Sequence, residues 1–63
     1  MRVILEREKK EVQMDATTVK ELLEKLELNP LTVLVAKNGE VVTEKARLED
    51  SDEVRILPVF SGG

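Results

Sequence analysis

The strongest constraint on the fold is one short amphipathic helix, predicted where the sequence reads TVKELLEKL. Thr18, followed three residues later by Glu21, forms a capping box, in which each side chain is expected to satisfy a backbone donor at the start of a helix. Apolar residues then recur at the spacing of one helical face. They are Val19, Leu22, Leu23 and Leu26. Because Pro30 disfavours helical geometry in the residue before it, the helix is predicted to end by about Leu28. A helix with one apolar face needs a sheet to cover it.

Strand patterns lie on both sides of this helix. The first two segments alternate apolar and polar residues and are joined by a charged turn, so we predict an antiparallel hairpin. The next two segments flank Asn38-Gly39, which is the strongest short-range signal for a hairpin. A final apolar run predicts the last strand. The predicted strands cover residues 1–7, 11–14, 32–37, 40–43 and 54–59.

The order β-β-α-β-β-β predicts an α+β domain of the β-grasp (ubiquitin-like) class, with a mixed sheet of about five strands and the helix packed on one face. The right-handed crossover rule places the last strand parallel beside the first. A ferredoxin-like split β-α-β fold is the alternative, but it requires a second helix. Residues 44–53 contain too few periodic apolar residues to form one, and we predict an acidic surface loop that Leu48 anchors to the core.

The apolar positions of these elements predict one small core. It consists of Val3, Leu5, Val12, Met14, Val19, Leu22, Leu23, Leu26, Val33, Val35, Val41, Leu48, Val54 and Ile56. A chain of 63 residues buries only about 60% of its unfolded surface, so we expect a single domain of marginal stability.

The composition excludes several classes of function. The chain contains no cysteine and no histidine, so it lacks disulfides, thiol chemistry and the usual zinc ligands. Its net charge is −3, with ten basic residues scattered among thirteen acidic ones, and the single aromatic residue offers no platform for stacking bases. This argues against nucleic-acid binding. The longest apolar run near the start is VIL, so neither a signal peptide nor a membrane span is predicted. We expect a cytoplasmic protein, monomeric when free, that acts through protein partners.

Side chains that enzymes use for catalysis are scarce. Serine occurs only at Ser51 and Ser61, without a histidine to activate it, and no glycine-rich phosphate-binding motif is present. The acidic run at 49–53 resembles the start of a calcium loop at Asp50, but Arg55 stands where such a loop needs glycine. We interpret the run as a solvated loop, with partner recognition as the alternative. We therefore expect no catalytic residue and no metal site in this chain.

The end of the last strand is the first candidate binding site. Pro58 lacks a backbone donor and is expected to end regular ladder pairing. For Phe60, which follows it, two interpretations are open. Its side chain folds back over the edge of the core, or it forms with Leu57 and Val59 an apolar patch that docks a protein partner.

The segments AKNGEVV and LEDSDEVRILPVFSGG, with the terminal Gly-Gly, resemble the ThiS and MoaD group of sulfur carrier proteins. The resemblance covers nearly the whole chain and is most specific from Leu48 to Gly63, and the chain length is closer to ThiS. It implies that the carboxylate of Gly63 is the functional group. In such proteins an adenylyltransferase of the ThiF/MoeB type converts this carboxylate to an acyl-adenylate, and a sulfur donor then forms a thiocarboxylate. ATP, and any zinc, would belong to the partner.

The tail suits such a reaction. Gly62 and Gly63 carry no side chains that would obstruct a narrow channel, and they adopt backbone conformations forbidden to other residues. Together with Ser61 they span about 10 Å when extended, at roughly 3.3 to 3.6 Å per residue. We predict a β-grasp domain over residues 1–60 and a flexible tail over residues 61–63, which enters the active site of a partner.

The destination of the carboxylate stays open at this point. The sulfur would go to a biosynthetic enzyme in thiamine-type metabolism, or in molybdopterin synthesis or tRNA thiolation. The alternatives are a ubiquitin-like modifier joined through Gly63 to lysines of target proteins, a permanent small subunit of a synthase, and a plain β-grasp interaction module.

Overall fold

The computed structural model of the protein describes residues 1–59. Its strands are β1 (Arg2–Leu5), β2 (Lys10–Gln13), β3 (Val33–Lys37), β4 (Glu40–Val42) and β5 (Glu53–Pro58). The helix α1 covers Val19–Lys25, and a 3₁₀ turn covers Pro30–Thr32. Residues 60–63 lie outside the described residues, so the predicted boundary between domain and tail stays a prediction.

The strands form one mixed sheet in the order β2-β1-β5-β3-β4. The first and last strands, β1 and β5, are parallel, whereas β2, β3 and β4 each run antiparallel to their neighbours. The segment from β2 through α1 to β3 passes over one face of the sheet. This is the β-grasp arrangement, and the predicted fold class is confirmed.

The turn between β3 and β4 has the geometry that its sequence predicts. Asn38 has a φ of 51° and Gly39 a φ of 87°, so both central residues occupy the left-handed region that a type I′ turn requires. Lys37 pairs with Glu40 across the turn. Two residues that tolerate positive φ thus set the register of the hairpin.

The core lies between α1 and the sheet. Val3 and Val54 from the two central strands, and Val19 and Leu22 from the helix, are at most 1% exposed. Each fully buried aliphatic side chain contributes roughly 1.5 to 3 kcal/mol relative to an exposed one. Leu48 is also buried, at 7% exposure, and anchors the loop between β4 and β5 as predicted.

The prediction that Val41 belongs to the core is wrong. It is 68% exposed, and Val42 packs partly against the core instead. The type I′ turn aligns Val35 with Val42 and Ala36 with Val41, and paired residues point to the same face of a sheet. Because Val35 is buried, Val42 shares its face. Met1, which the prediction omitted, is 8% exposed and completes the core.

The N-terminus of α1 is only partly capped as predicted. The hydroxyl of Thr18 accepts a hydrogen bond from the amide of Glu21 at 3.2 Å. The carboxylate of Glu21 accepts from the hydroxyl of Thr17 at 2.8 Å, so the reciprocal half of the capping box is replaced by a side-chain bond. The loop after β4 completes the cap: the amide of Val19 donates to the carbonyl of Ala46 at 3.0 Å. The helix is thereby tied to this loop.

The C-terminus of α1 is a Schellman motif without glycine. The amide of Leu28 donates to the carbonyl of Leu23 at 2.9 Å, and that of Glu27 to Glu24 at 3.1 Å. Glu27 therefore has a φ of 57°, a conformation that costs a residue with a Cβ roughly 1–2 kcal/mol. The reversal ends the helix at Lys25 and turns Leu28 back against the core.

We expect Glu27→Gly to stabilise the protein. Glycine adopts positive φ without strain, and the greater entropy of the unfolded glycine chain offsets part of the gain, which leaves up to about 1 kcal/mol. Urea denaturation measures this as an increased free energy of unfolding. Glu27→Ala removes the same side chain but retains the Cβ, so it should show no comparable gain, and equal effects of the two substitutions would contradict the assignment.

Candidate functional site

The last strand continues through Pro58 to the end of the described residues. Pro58 pairs with Val33, and the amide of Val59 donates to the carbonyl of Thr32 at 3.0 Å. The prediction that Pro58 ends ladder pairing is therefore wrong on the β3 side. Alternate residues of an antiparallel strand bond to the same neighbour, so the nitrogen of Pro58 points to the other side. On that side β1 has already ended at Leu5, so the missing N–H of Pro58 leaves no hydrogen bond of the ladder unmade.

The face of the sheet opposite α1 carries the described members of the predicted partner patch. Leu57 is half-buried and Val59 is 41% exposed. Leu57 pairs directly with Leu34, which is 47% exposed. We call Leu34, Leu57 and Val59 the open-face patch. Phe60, the remaining predicted member, lies outside the described residues, so its place in the patch stays a prediction.

Leu34 is the member that the sequence-based patch lacks. Its face follows from alternation, because Val33 and Val35 on either side of it pack towards the core. The pairing of β3 with β5 then brings Leu34 beside Leu57. The first of these signals is present in the sequence, whereas the second depends on which strands become neighbours in the sheet.

Charged side chains border the open-face patch. Arg55 contacts Glu6 at 2.6 Å and Glu53 at 3.5 Å, and Arg2 contacts Glu11 at 2.9 Å. These side chains are about half exposed, and such ion pairs typically contribute 0–1 kcal/mol each. Their more evident role is to surround an apolar surface with polar groups, which is the usual composition of a protein interface.

A small cavity opens on the helix side of the sheet at the same end of β5. Its volume is about 240 Å³. Its lining is mixed: the polar residues are Arg7, Glu8 and Thr32, and the apolar ones are Leu5, Leu28, Val33, Ile56, Pro58 and Val59. Val59 therefore borders this cavity as well as the open-face patch. The cavity exists because β1 ends at Leu5 while β5 extends further. The end of β5 thus has the open-face patch on one face of the sheet and a cavity of mixed apolar and polar lining on the other.

The acidic loop is largely engaged in local hydrogen bonds. One carboxylate oxygen of Asp52 accepts from the side-chain amide of Asn38 at 2.9 Å, and the other accepts from the backbone amide of Glu49 at 2.8 Å. The amide of Glu53 donates to the side-chain oxygen of Asn38 at 2.9 Å. These contacts tie the type I′ turn to the loop. Within residues 1–59, no cluster of acidic side chains is placed to hold a metal ion.

The predicted reactive residues Ser61, Gly62 and Gly63 lie outside the described residues. The structure therefore describes the surface around their attachment point and leaves their roles as predictions. In the part of the chain that is described, no helix has the length and apolar character needed to cross a membrane.

A β-grasp domain with an apolar open face, followed by Gly-Gly, defines the class of ubiquitin-like proteins. The ThiS family model matches residues 1–63. A curated relative, the sulfur carrier protein TtuB of Thermus thermophilus, is 37% identical over 65 aligned positions that cover the whole of both chains. The chain belongs to the ThiS family, and its resemblance to ThiS-type sulfur carriers is confirmed. Proteins of this type are small carriers rather than enzymes, and they depend on partner enzymes for activation and sulfur transfer.

We expect Asp52→Asn to reduce the acid sensitivity of the fold. Hydrogen bonds from the Asn38 side chain, and then from the Glu49 amide, hold the pKa of Asp52 below its ordinary value. A carboxylate with a lower pKa in the folded chain stabilises the protein above its unfolded-state pKa of about 4, and this contribution is lost as the pH falls through the folded-state pKa. Urea titrations at several pH values should therefore show a shallower acid loss in the variant.

Asp50→Asn is the matched control, since it removes the same charge from an exposed position in the same loop. This control should retain the steep loss of stability at low pH. Identical acid dependence in the two variants would show that the hydrogen bonds of Asp52 do not contribute.

Proposed function

We propose that this protein carries sulfur as a thiocarboxylate on Gly63. The observation that carries the proposal is the position of β5. This strand lies at the centre of the sheet and contributes Leu57 to the open-face patch, and in the sequence only Val59 and Phe60 separate it from Ser61-Gly62-Gly63. The folded domain would serve as a handle that a partner binds, and the tail would present the reacting group. Membership of the ThiS family supports this division of roles.

The chemistry requires two steps at the same carbon atom. A carboxylate is a weak electrophile, so an oxygen of Gly63 first attacks the α-phosphorus of ATP, and pyrophosphate leaves. Sulfide supplied by a sulfur donor then attacks the carbonyl of the acyl-adenylate, the bond to AMP breaks, AMP departs, and the thiocarboxylate remains. ATP, and any zinc, are held by the adenylyltransferase, for which we propose the ThiF/MoeB type. The chain contributes only the terminal carboxylate and the surface that positions it.

The tail sequence supports the proposal because its last two residues have no side chains. Neither Gly62 nor Gly63 has a side chain that would contact the walls of a narrow catalytic channel. Ser61 to Gly63 reach about 10 Å when extended, so the folded domain can stay outside the channel while the carboxylate enters. We propose that the reaction takes place in the cytoplasm, on a carrier that is monomeric when free.

The receiving enzyme is the finer part of the proposal. We propose thiamine-type biosynthesis as the destination, with molybdopterin synthesis and tRNA thiolation as the alternatives. The relative TtuB is named as a sulfur carrier, and that name supports sulfur transfer without specifying a recipient. Conjugation of Gly63 to lysines of other proteins would use the same adenylate, and it differs only in the nucleophile that attacks it.

Intact mass spectrometry tests the carrier function directly. After incubation with its cognate adenylyltransferase, ATP and a sulfur donor, the protein should gain the mass difference between one sulfur and one oxygen atom. Deletion of Gly62 and Gly63 should abolish this gain without changing the fold. Absence of both adenylate and thiocarboxylate on the intact chain would refute the proposal, and high-mass conjugates that require the same two glycines would favour a modifier.

The open-face patch has a separate test in activation kinetics. We expect Leu34→Asp and Val59→Asp each to reduce kcat/KM for adenylation about tenfold, mainly through KM. A tenfold loss corresponds to about 1.4 kcal/mol, which places these residues among the minority of interface residues that cost more than about 1 kcal/mol. Leu31→Asp makes a similar change at a leucine that is 86% exposed and outside the sheet, and it should have little effect. Equal effects at Leu31 and Leu34 would argue against the patch.

A further inference from the structure

The turn between β3 and β4 contains a dipeptide, Asn38-Gly39, that is chemically prone to deamidation. In such a dipeptide the backbone nitrogen of the glycine can attack the side-chain carbonyl carbon of the asparagine, because glycine has no side chain to hinder the approach. Both residues are exposed, and a Cβ placed on Gly39 would meet no atom within 4 Å. Water therefore reaches this dipeptide, and burial does not protect it.

Three hydrogen bonds hold Asn38 in a conformation that opposes this reaction. Its side-chain NH2 group donates to Asp52 at 2.9 Å, and its side-chain oxygen accepts from the amide of Glu53 at 2.9 Å. Its backbone amide donates to the carbonyl of Glu53 at 2.8 Å. We call these three bonds the Asn38 clip. They direct both ends of the side-chain amide towards residues 52 and 53, whereas cyclisation requires its carbonyl carbon to turn towards Gly39.

We propose that Asn38 is a deamidation site that the Asn38 clip keeps unreacted, and that opening of the clip allows its irreversible conversion to aspartate or isoaspartate. In the first step the Gly39 nitrogen bonds to the side-chain carbonyl carbon of Asn38, the bond from that carbon to Nδ2 breaks, and ammonia leaves with the proton of the Gly39 amide. Water then opens the cyclic imide. Attack at the side-chain carbonyl gives aspartate, and attack at the backbone carbonyl gives isoaspartate. Water is the only co-reactant.

The product of this reaction cannot form the same clip. An ionised aspartate has no NH2 group to donate, and at position 38 it places a second negative charge against the carboxylate of Asp52, which repels it. The affected turn lies beside the start of β5, where Lys37 pairs with Val54, whereas Val59 follows the other end of that strand. The proposal is therefore independent of the sulfur chemistry proposed for Gly63, and each can fail without the other.

Peptide mapping by mass spectrometry measures the reaction at Asn38, because deamidation exchanges an NH2 group for OH. The other asparagine of the chain, Asn29, is an internal control, since Pro30 after it has no N–H and cannot form the imide by this route. At one pH and temperature, we expect the folded wild-type chain to react about 100-fold more slowly than the same chain unfolded in urea, every tenfold corresponding to about 1.4 kcal/mol. Equal rates in the two states would overturn the proposal.

Two alanine variants separate the Asn38 clip from the rest of the fold. Asp52→Ala removes the acceptor for the NH2 group of Asn38, and in the folded state it should react about tenfold faster than the wild type, as expected for the loss of about one hydrogen bond. Asp50→Ala removes an exposed carboxylate from the same loop and should keep the slow wild-type rate. In urea all three chains should react at the same rate. If the two folded variants react equally fast, the clip does not protect Asn38.

Exchange of the two side chains gives a readout that general loss of stability cannot imitate. Asn38→Asp imitates the product and should lower the melting temperature. Combined with Asp52→Asn it restores complementary groups, because an NH2 group on residue 52 then faces a carboxylate on residue 38, and the amide oxygen of residue 52 can still accept from Glu49. The double variant should therefore recover most of the lost melting temperature. Asn38→Asp combined with Asp50→Asn, the matched control, should not recover it, and additive losses in the exchanged pair would contradict the clip.

Discussion

The fold depends on the parallel pairing of its first and last strands. β1 and β5 lie at the centre of the sheet and supply Val3 and Val54, which are completely buried under α1. Parallel neighbours cannot be joined by a tight turn, so every other element must be placed between them in sequence and around them in space. β2 and β3 therefore pair with this central pair, β4 extends the sheet beyond β3, and α1 covers one face. The central position of the end of β5 is a direct result of the same pairing.

Features that depend on local chemistry could be predicted from the sequence. The spacing of Val19 and Leu22 gives the buried face of the helix, and Asn38-Gly39 gives the type I′ turn. The parallel position of β5 also follows, because the handedness of crossovers restricts the possible topologies. Leu48 could be identified as an anchor since it is an isolated large apolar residue within an acidic loop.

The incorrect predictions arise where a residue has two possible partners and the sequence does not show which of them it contacts. Glu21 had two possible donors, and it accepts from the hydroxyl of Thr17 rather than completing the capping box. Val41 was assigned to the core although the register of the turn places it opposite Ala36 on the outer face. Leu34 becomes part of a candidate interface only because β3 lies next to β5. The candidate site is thus predictable in its residue types, while its shape depends on which strands are neighbours.

The direction of the central strands also determines how the domain responds to force. Because β1 and β5 run parallel, the start of β1 and the end of β5 lie at opposite ends of the pair. Tension applied between them would slide one strand along the other and strain all the inter-strand hydrogen bonds together, whereas an antiparallel pair pulled at adjacent ends opens one bond at a time. Tension between the start of β1 and the end of β5 is therefore opposed by the whole β1–β5 ladder at once.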